Sequence, residues 1–189
     1  MADQARLVKN RLNIRIMAVV GLMVAVCGIC AQISIPLPFS PVPLTLQTLA
    51  VMIAALMLGP RWGTLVMAVY ALCGIVGIPV FTQAKAGIGA LLGPTGGFIW
   101  GFIPGAFVIG ILAGDINKEL KFAKAVAAAL AGLVVIYACG VWQLSVVAGL
   151  GLGKAFLVGA LPYLPLEAGK LLLAAKIVNA VRRRGVLNF

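Results

Sequence analysis

The amino-acid sequence predicts an all-α integral membrane protein with six transmembrane helices. Three observations carry that prediction. The 189 residues are 63% hydrophobic and only 10% charged, with a mean hydropathy of +1.15, whereas a soluble domain carries about 25% charged residues. Apolar runs recur along the chain, several of them near the 20 or so residues that a bilayer crossing takes. Finally, 15 basic residues stand against 4 acidic ones, and most lie between the runs. Residues 1–189 read as one transmembrane domain, because the longest polar stretches are the termini and one short loop.

The first span is expected at 14–35, after a basic N-terminal segment. That start could pass for a signal peptide, but its apolar run is long enough to cross and further runs follow, so a retained helix is expected. No charge occurs between Arg15 and Arg61. Pro36, Pro38, Pro41 and Pro43 divide this interval with a turn, since proline cannot continue a helix interior. The second span then covers 44–58 and is short; the third covers 62–78. A Gly-rich connection, VFTQAKAGIGALLGPTGG, leads to a fourth span at 98–113, expected to bend at Pro104. The fifth is 125–150 and the last 156–178.

Charge sets the expected orientation. With a cytoplasmic N-terminus, six spans return the C-terminus to the cytoplasm. Every basic residue except Lys85, Lys154 and Lys170 then falls on the cytoplasmic side, as the positive-inside rule requires. Basic residues flanking apolar spans suit anionic lipid headgroups, so the bilayer is the expected partner and nucleic acid is not. Asp3, Asp115 and Glu119 are cytoplasmic as well. Glu167 is left as the one acid outside or within the bilayer, and Lys154 is expected in a loop.

Glu167 and Lys170 lie three apart in LPYLPLEAGKLLLAAK, on one helix face. A charge in mid-bilayer costs at least about 2.5 kcal/mol. The pair is either a structural ion pair, a lysine snorkelling to the interface, or a polar ligand site facing the bundle interior. Pro162 and Pro165 favour the last by freeing backbone groups at the helix start. Gln47, with Thr45 and Thr48, opens an otherwise apolar helix and reads as interhelical glue or a ligand contact. Lys85, among glycines in the 3–4 connection, could clamp a carboxylate or bind headgroups. Gly21 and Ala25 form a small-xxx-small pair that lets a partner helix approach.

Catalytic motifs are poor. The chain has no histidine, which removes the usual proton shuttle and the commonest metal ligand. Cys27-Gly-Ile-Cys30 has a redox or zinc spacing but sits mid-helix without a second ligand pair. GLGLGKA, residues 149–155, lacks the first glycine and the Ser or Thr of a P-loop. No enzymatic activity, metal or cofactor is expected.

The blocks PVPLTLQTLAVMIAALMLGPRWG, GIPVFTQAKAGIGALLGPTGGFIWGF and LPYLPLEAGKLLLAAK occur in this order across nearly the whole chain. In them the sequence resembles the BioY family, the substrate-binding S components of biotin transporters of the energy-coupling-factor (ECF) type. The resemblance implies an S-component bundle that binds biotin near the outer face of a prokaryotic plasma membrane. It also implies work with a transmembrane coupling protein and two ATPase subunits.

By the same resemblance Gln47 matches the glutamine of the P-V-P block, and Lys85 a basic position in the Gly-rich loop. Glu167 and Lys170 match the acid and lysine of an L-P-G-D-x-x-K pattern. Three positions depart from the family: Leu166-Glu167 replaces Gly-Asp, Lys85 stands where some members carry arginine, and Gly21-x-x-x-Ala25 replaces the partner-contact motif Ala-x-x-x-Ala. Glu167 would accept from a ureido N–H while Lys170 donates beside it, with Gln47 and Lys85 at the other polar end. Thr45, Tyr70, Gly87, Trp142 and Tyr163 are further pocket candidates. The alternatives are a stand-alone secondary transporter, proton-coupled through Glu167, and a lipid-modifying membrane enzyme. The second is disfavoured because it would lack a nucleophile–base pair and metal ligands.

Overall fold

A computed structural model describes residues 2–116 and 118–184. Helix α1 (Ala2–Gln32) opens the chain. Its apolar part, Ile14–Gln32, is the least covered of the long apolar helices. An antiparallel hairpin follows, β1 (Ser34–Leu37) and β2 (Ser40–Thr45), pairing Ser34 with Thr45 and Leu37 with Ser40. The sequence predicts only a turn there. A two-stranded ribbon consists of edges alone, so proline's missing N–H can point outward. The register slips between Ile35 and Leu37, around Pro36.

Helix α2 (Gln47–Ile75) consists of two helical arms that meet at Gly59, which has φ 74° and ψ −173°. A side chain is strained at that φ, and glycine is not. The chain reverses at this point. The Gln47 amide donates to the Tyr70 hydroxyl at 2.5 Å although 23 residues separate them, a distance of about 35 Å in a straight helix. A Cβ at Gly63 would lie 2.8 Å from the Cα of Ala55. The two arms, 47–58 and 60–75, are therefore antiparallel and correspond to the expected second and third spans.

A connection containing the turn Thr82–Ala84 and helix α3 (Ile88–Leu92) leads to α4 (Gly96–Ala113). Helix α4 passes Pro104 without a break in its helical angles. It packs on α5 (Phe122–Val147) through small residues. A Cβ at Gly97 would sit 2.5 Å from the Cys139 carbonyl, and Gly140 reciprocally receives the Phe98 ring. Absent side chains let the two backbones touch, which is how helices gain packing where lipid supplies no hydrophobic drive.

The last expected span, 156–178, is not one helix. Helix α6 (Leu152–Gly159) ends at Ala160, a single turn spans Leu161–Tyr163, and α7 (Leu164–Arg183) begins afresh. Pro162 and Pro165 can each sit in a first turn but not in a helix interior. Lys154, expected in a loop, is an exposed residue of α6. Among the described residues, five helical segments are long and apolar enough to cross a membrane, and the reversal at Gly59 divides one of them.

The reversal leaves the last carbonyls of the first arm without helical partners, and Pro60 has no N–H to offer. Arg182 supplies the missing donor. Its Nη2 donates to the Leu56 carbonyl at 2.5 Å, and its Nη1 to the carbonyls of Asp115 and Lys118 at 3.0 and 3.2 Å. The Gly59 turn, the 4–5 loop and the end of α7 thus share one end of the bundle. The hairpin, the 78–95 connection and Tyr163 share the other.

Candidate ligand-binding site

The first turn of α7 and the first turn of α2 meet at the hairpin end of the bundle. Glu167 and Lys170 are 2% and 4% exposed, with Lys170 Nζ 2.6 Å from Glu167 Oε1. The Thr48 hydroxyl donates to the same Oε1 at 2.9 Å and accepts from Lys170 at 3.1 Å. A helix start also favours an acid electrostatically. Glu167 Oε2 is different: it is buried and makes no well-formed hydrogen bond among the described residues, with the Tyr137 hydroxyl interacting with this carboxylate from α5. A buried carboxylate oxygen without a well-formed bond is costly, so this atom can still accept from a ligand donor.

Glu167 lines a cavity of about 60 Å³ together with Gln47 and Thr48. Phe98, Phe102 and Tyr137 give it aromatic walls, and Phe98 meets Tyr137 edge-on at 5.4 Å. The hairpin contributes Val42 and Thr45, and the 3–4 connection Thr82, Gln83 and Lys85. Sites for drug-sized ligands measure roughly 300–1,000 Å³, so this cavity is shut down over its polar floor. Two loops form its roof. The Tyr163 hydroxyl donates to the Val42 carbonyl and contacts Ser40 Oγ at 2.9 Å, fixing the hairpin over α7.

The structure thus brings Gln47, Thr45, Tyr163, Lys85 and Glu167 to one cavity. Lys170 stands behind the wall and reaches it through Glu167 and Thr48. Lys85 is exposed at the rim. Tyr70 is fully buried one layer out: it accepts from Gln47 and donates to the Val80 carbonyl at 2.9 Å, so it positions Gln47 and forms no wall. Gly87 is likewise structural, with φ 84° and its N–H bonded to the Gly74 carbonyl at 2.7 Å.

Trp142 is a correction. It is 63% exposed and lines a separate apolar groove of about 420 Å³ between α5 and α6, facing outward with Val134 and Phe156. The inward aromatic of α5 is Tyr137, five residues earlier and so about 140° around the helix. Sequence reading missed Tyr137, Phe98 and Phe102. An apolar helix in lipid lacks the polar stripe that would reveal its inner face. Gly21 and Ala25 lie on the exposed side of α1, away from the cavity, and no atom of the bundle approaches the position of a Gly21 Cβ.

Comparison with known proteins agrees with the fold. The family model described as BioY family matches residues 4–186. The biotin transporter BioY of Thermotoga maritima is 44% identical over 163 residues, 86% of this chain and 93% of that one. The probable biotin transporter BioY of Pyrococcus horikoshii is 38% identical over 169 residues, 89% and 95% of the two chains. A solved structure, the S-component for biotin from an ECF-type ABC transporter, superimposes with a TM-score of 0.85 at 26% identity, covering 92% of this chain and 94% of that one. With its helical bundle, its buried acid–lysine pair and a family match along almost its whole length, this chain belongs to the BioY family.

Proposed function

We propose that this protein is the substrate-binding subunit of a biotin uptake system in a prokaryotic plasma membrane. It carries no enzymatic activity of its own and is driven by an ECF module, a transmembrane coupling protein with two ATPase subunits. One observation carries the binding assignment: Glu167 Oε2, buried at the floor of the cavity without a well-formed hydrogen bond, beside an oxygen already committed to Lys170 and Thr48. Biotin's ureido ring offers N–H donors of the kind that oxygen lacks, and its apolar ring suits Phe98, Phe102 and Tyr137. A site built to hydrogen-bond one group strongly rejects analogues without it. Gln47, Tyr163, Thr45 and the rim residue Lys85 complete the contacts in this reading. The basic 4–5 loop and α7 terminus lie at the end of the bundle opposite the cavity, which supports a site open to the outside under the positive-inside rule.

The deciding experiment is equilibrium binding of biotin and desthiobiotin to the full chain in detergent. Saturable binding of both is expected, since desthiobiotin keeps the ureido group and the carboxylate. Glu167→Ala should abolish it. Wild-type affinity in that variant would remove the acid from the site. Uptake that followed the proton gradient, with ATP irrelevant, would replace the ECF partnership by proton coupling through Glu167.

A further inference from the structure

The roof of the cavity is held in a conformation that its own residues disfavour. Phe81 and Lys85 pair across a tight turn, with the Phe81 N–H donating to the Lys85 carbonyl at 3.1 Å. Between them Gln83 and Ala84 both have positive φ, 62° and 55°. Two consecutive side-chain-bearing residues in that region are rare, and such a turn persists only when its surroundings enforce it.

The enforcing group comes from another element. Gln32, the last residue of α1, accepts from the Ala84 N–H through Oε1 at 2.9 Å. Its Nε2 donates to the carbonyls of Phe81 at 3.0 Å and Pro79 at 3.3 Å, and contacts its own-helix Gly28 carbonyl at 3.5 Å. One side-chain amide therefore grips the turn on both sides of its tip, including the N–H of a residue with disfavoured φ. The base of the turn is anchored separately. The Phe81 ring fills the space at Gly74 and meets Tyr70 edge-on at 5.6 Å. Thr82, Gln83 and Lys85, between base and grip, line the cavity. Gln32 is solvent-exposed, so water competes for its bonds and they can open without unfolding the bundle.

We propose that Gln32 is the latch of the ligand cavity. Its amide holds the 82–85 turn closed against the backbone preference of Gln83 and Ala84, and ligand enters and leaves when that grip breaks. Gln32 touches no ligand in this scheme; it is a positioning residue that acts through the turn. The role rests on the biotin reading given above, and biotin is the probe.

The test combines dissociation rates with local exchange on the full chain in nanodiscs. Gln32→Ala should speed biotin dissociation about tenfold, the order expected for losing two or three modest hydrogen bonds. Gln32→Glu keeps the acceptor but loses both donors, and should fall between. Deuterium exchange at 79–85 should accelerate while that of α7 is unchanged. Ala84→Gly relieves the disfavoured φ, so Gln32→Ala should matter less in that background, a non-additivity that a merely structural residue would not produce. Dissociation within twofold of wild type, or an equal effect in both backgrounds, overturns the latch. Exchange is read on the ligand-free chain, so unchanged rates at 79–85 refute the latch even if biotin proves not to bind, and faster rates uphold it.

Discussion

Glu167 and Lys170 are worth little apart. Removing one partner of a buried pair strands the other charge, at a cost of about 3–5 kcal/mol, while removing both is often nearly neutral. Lys170→Met should therefore lower the thermal stability of the purified chain more than the double variant Glu167→Gln/Lys170→Met does. Differential scanning fluorimetry in detergent checks this with Glu167→Gln as the other single variant, and a simple sum of the two single effects would contradict the tight coupling seen at Thr48. Binding should follow another order. Any variant that alters Glu167 should lose biotin, because in the proposed site its Oε2 accepts from the ligand.

At the scale of elements, contacts between bare backbones dominate. A Cβ at Gly110 would fall 2.3 Å from the Pro60 nitrogen, where α4 crosses the reversal of α2. Gly110→Leu should collapse the yield of folded protein in detergent, whereas Gly89→Leu, at a position with nothing within 4 Å, should leave it unchanged. The Tyr163 hydroxyl ties the hairpin to the start of α7. Tyr163→Phe removes the bonds to Val42 and Ser40, and faster deuterium exchange across 34–45 is expected.

These elements also show what the sequence could and could not disclose. Runs of apolar residues and the charges between them located the long apolar segments, since hydrocarbon thickness imposes a common length, but not the division of the last one into two helices. Glu167, Lys170 and Gln47 stood out because polarity inside such runs is expensive. Pro36 to Pro43 registered only as a helix breaker; that both strands would be edges, and so tolerate proline, is a tertiary fact. Pro162 and Pro165 were read as loosening a helix start, but not as ending one helix at Ala160 and opening another. Trp142 was a candidate wall of the pocket, but the direction in which an aromatic points from an all-apolar helix is fixed by its neighbours. Gln32 was hidden for a related reason: its partners at Pro79, Phe81 and Ala84 are backbone atoms, which leave no mark in side-chain pattern.

For the whole molecule, the closed cavity of about 60 Å³ implies that free and loaded forms differ. The two roof loops, the hairpin and the 78–87 connection, are not part of the long helices that form the walls. Saturating biotin should therefore slow deuterium exchange in both loops while the cores of α4 and α5, locked glycine to backbone, change little. Equal protection everywhere would instead indicate a bundle that tightens throughout.

Helix α7 is fastened to the first arm of α2 twice. Glu167 and Lys170 hold Thr48 at the start of that arm, and Arg182 holds Leu56 about 12 Å further along it. A rod riveted at two points can tilt only with the plate that carries it, and it cannot slide like a piston. Two such fastenings oppose α7 travelling along its neighbour when the cavity fills. The two pieces are expected to shift together, and Arg182→Gln should let them slip.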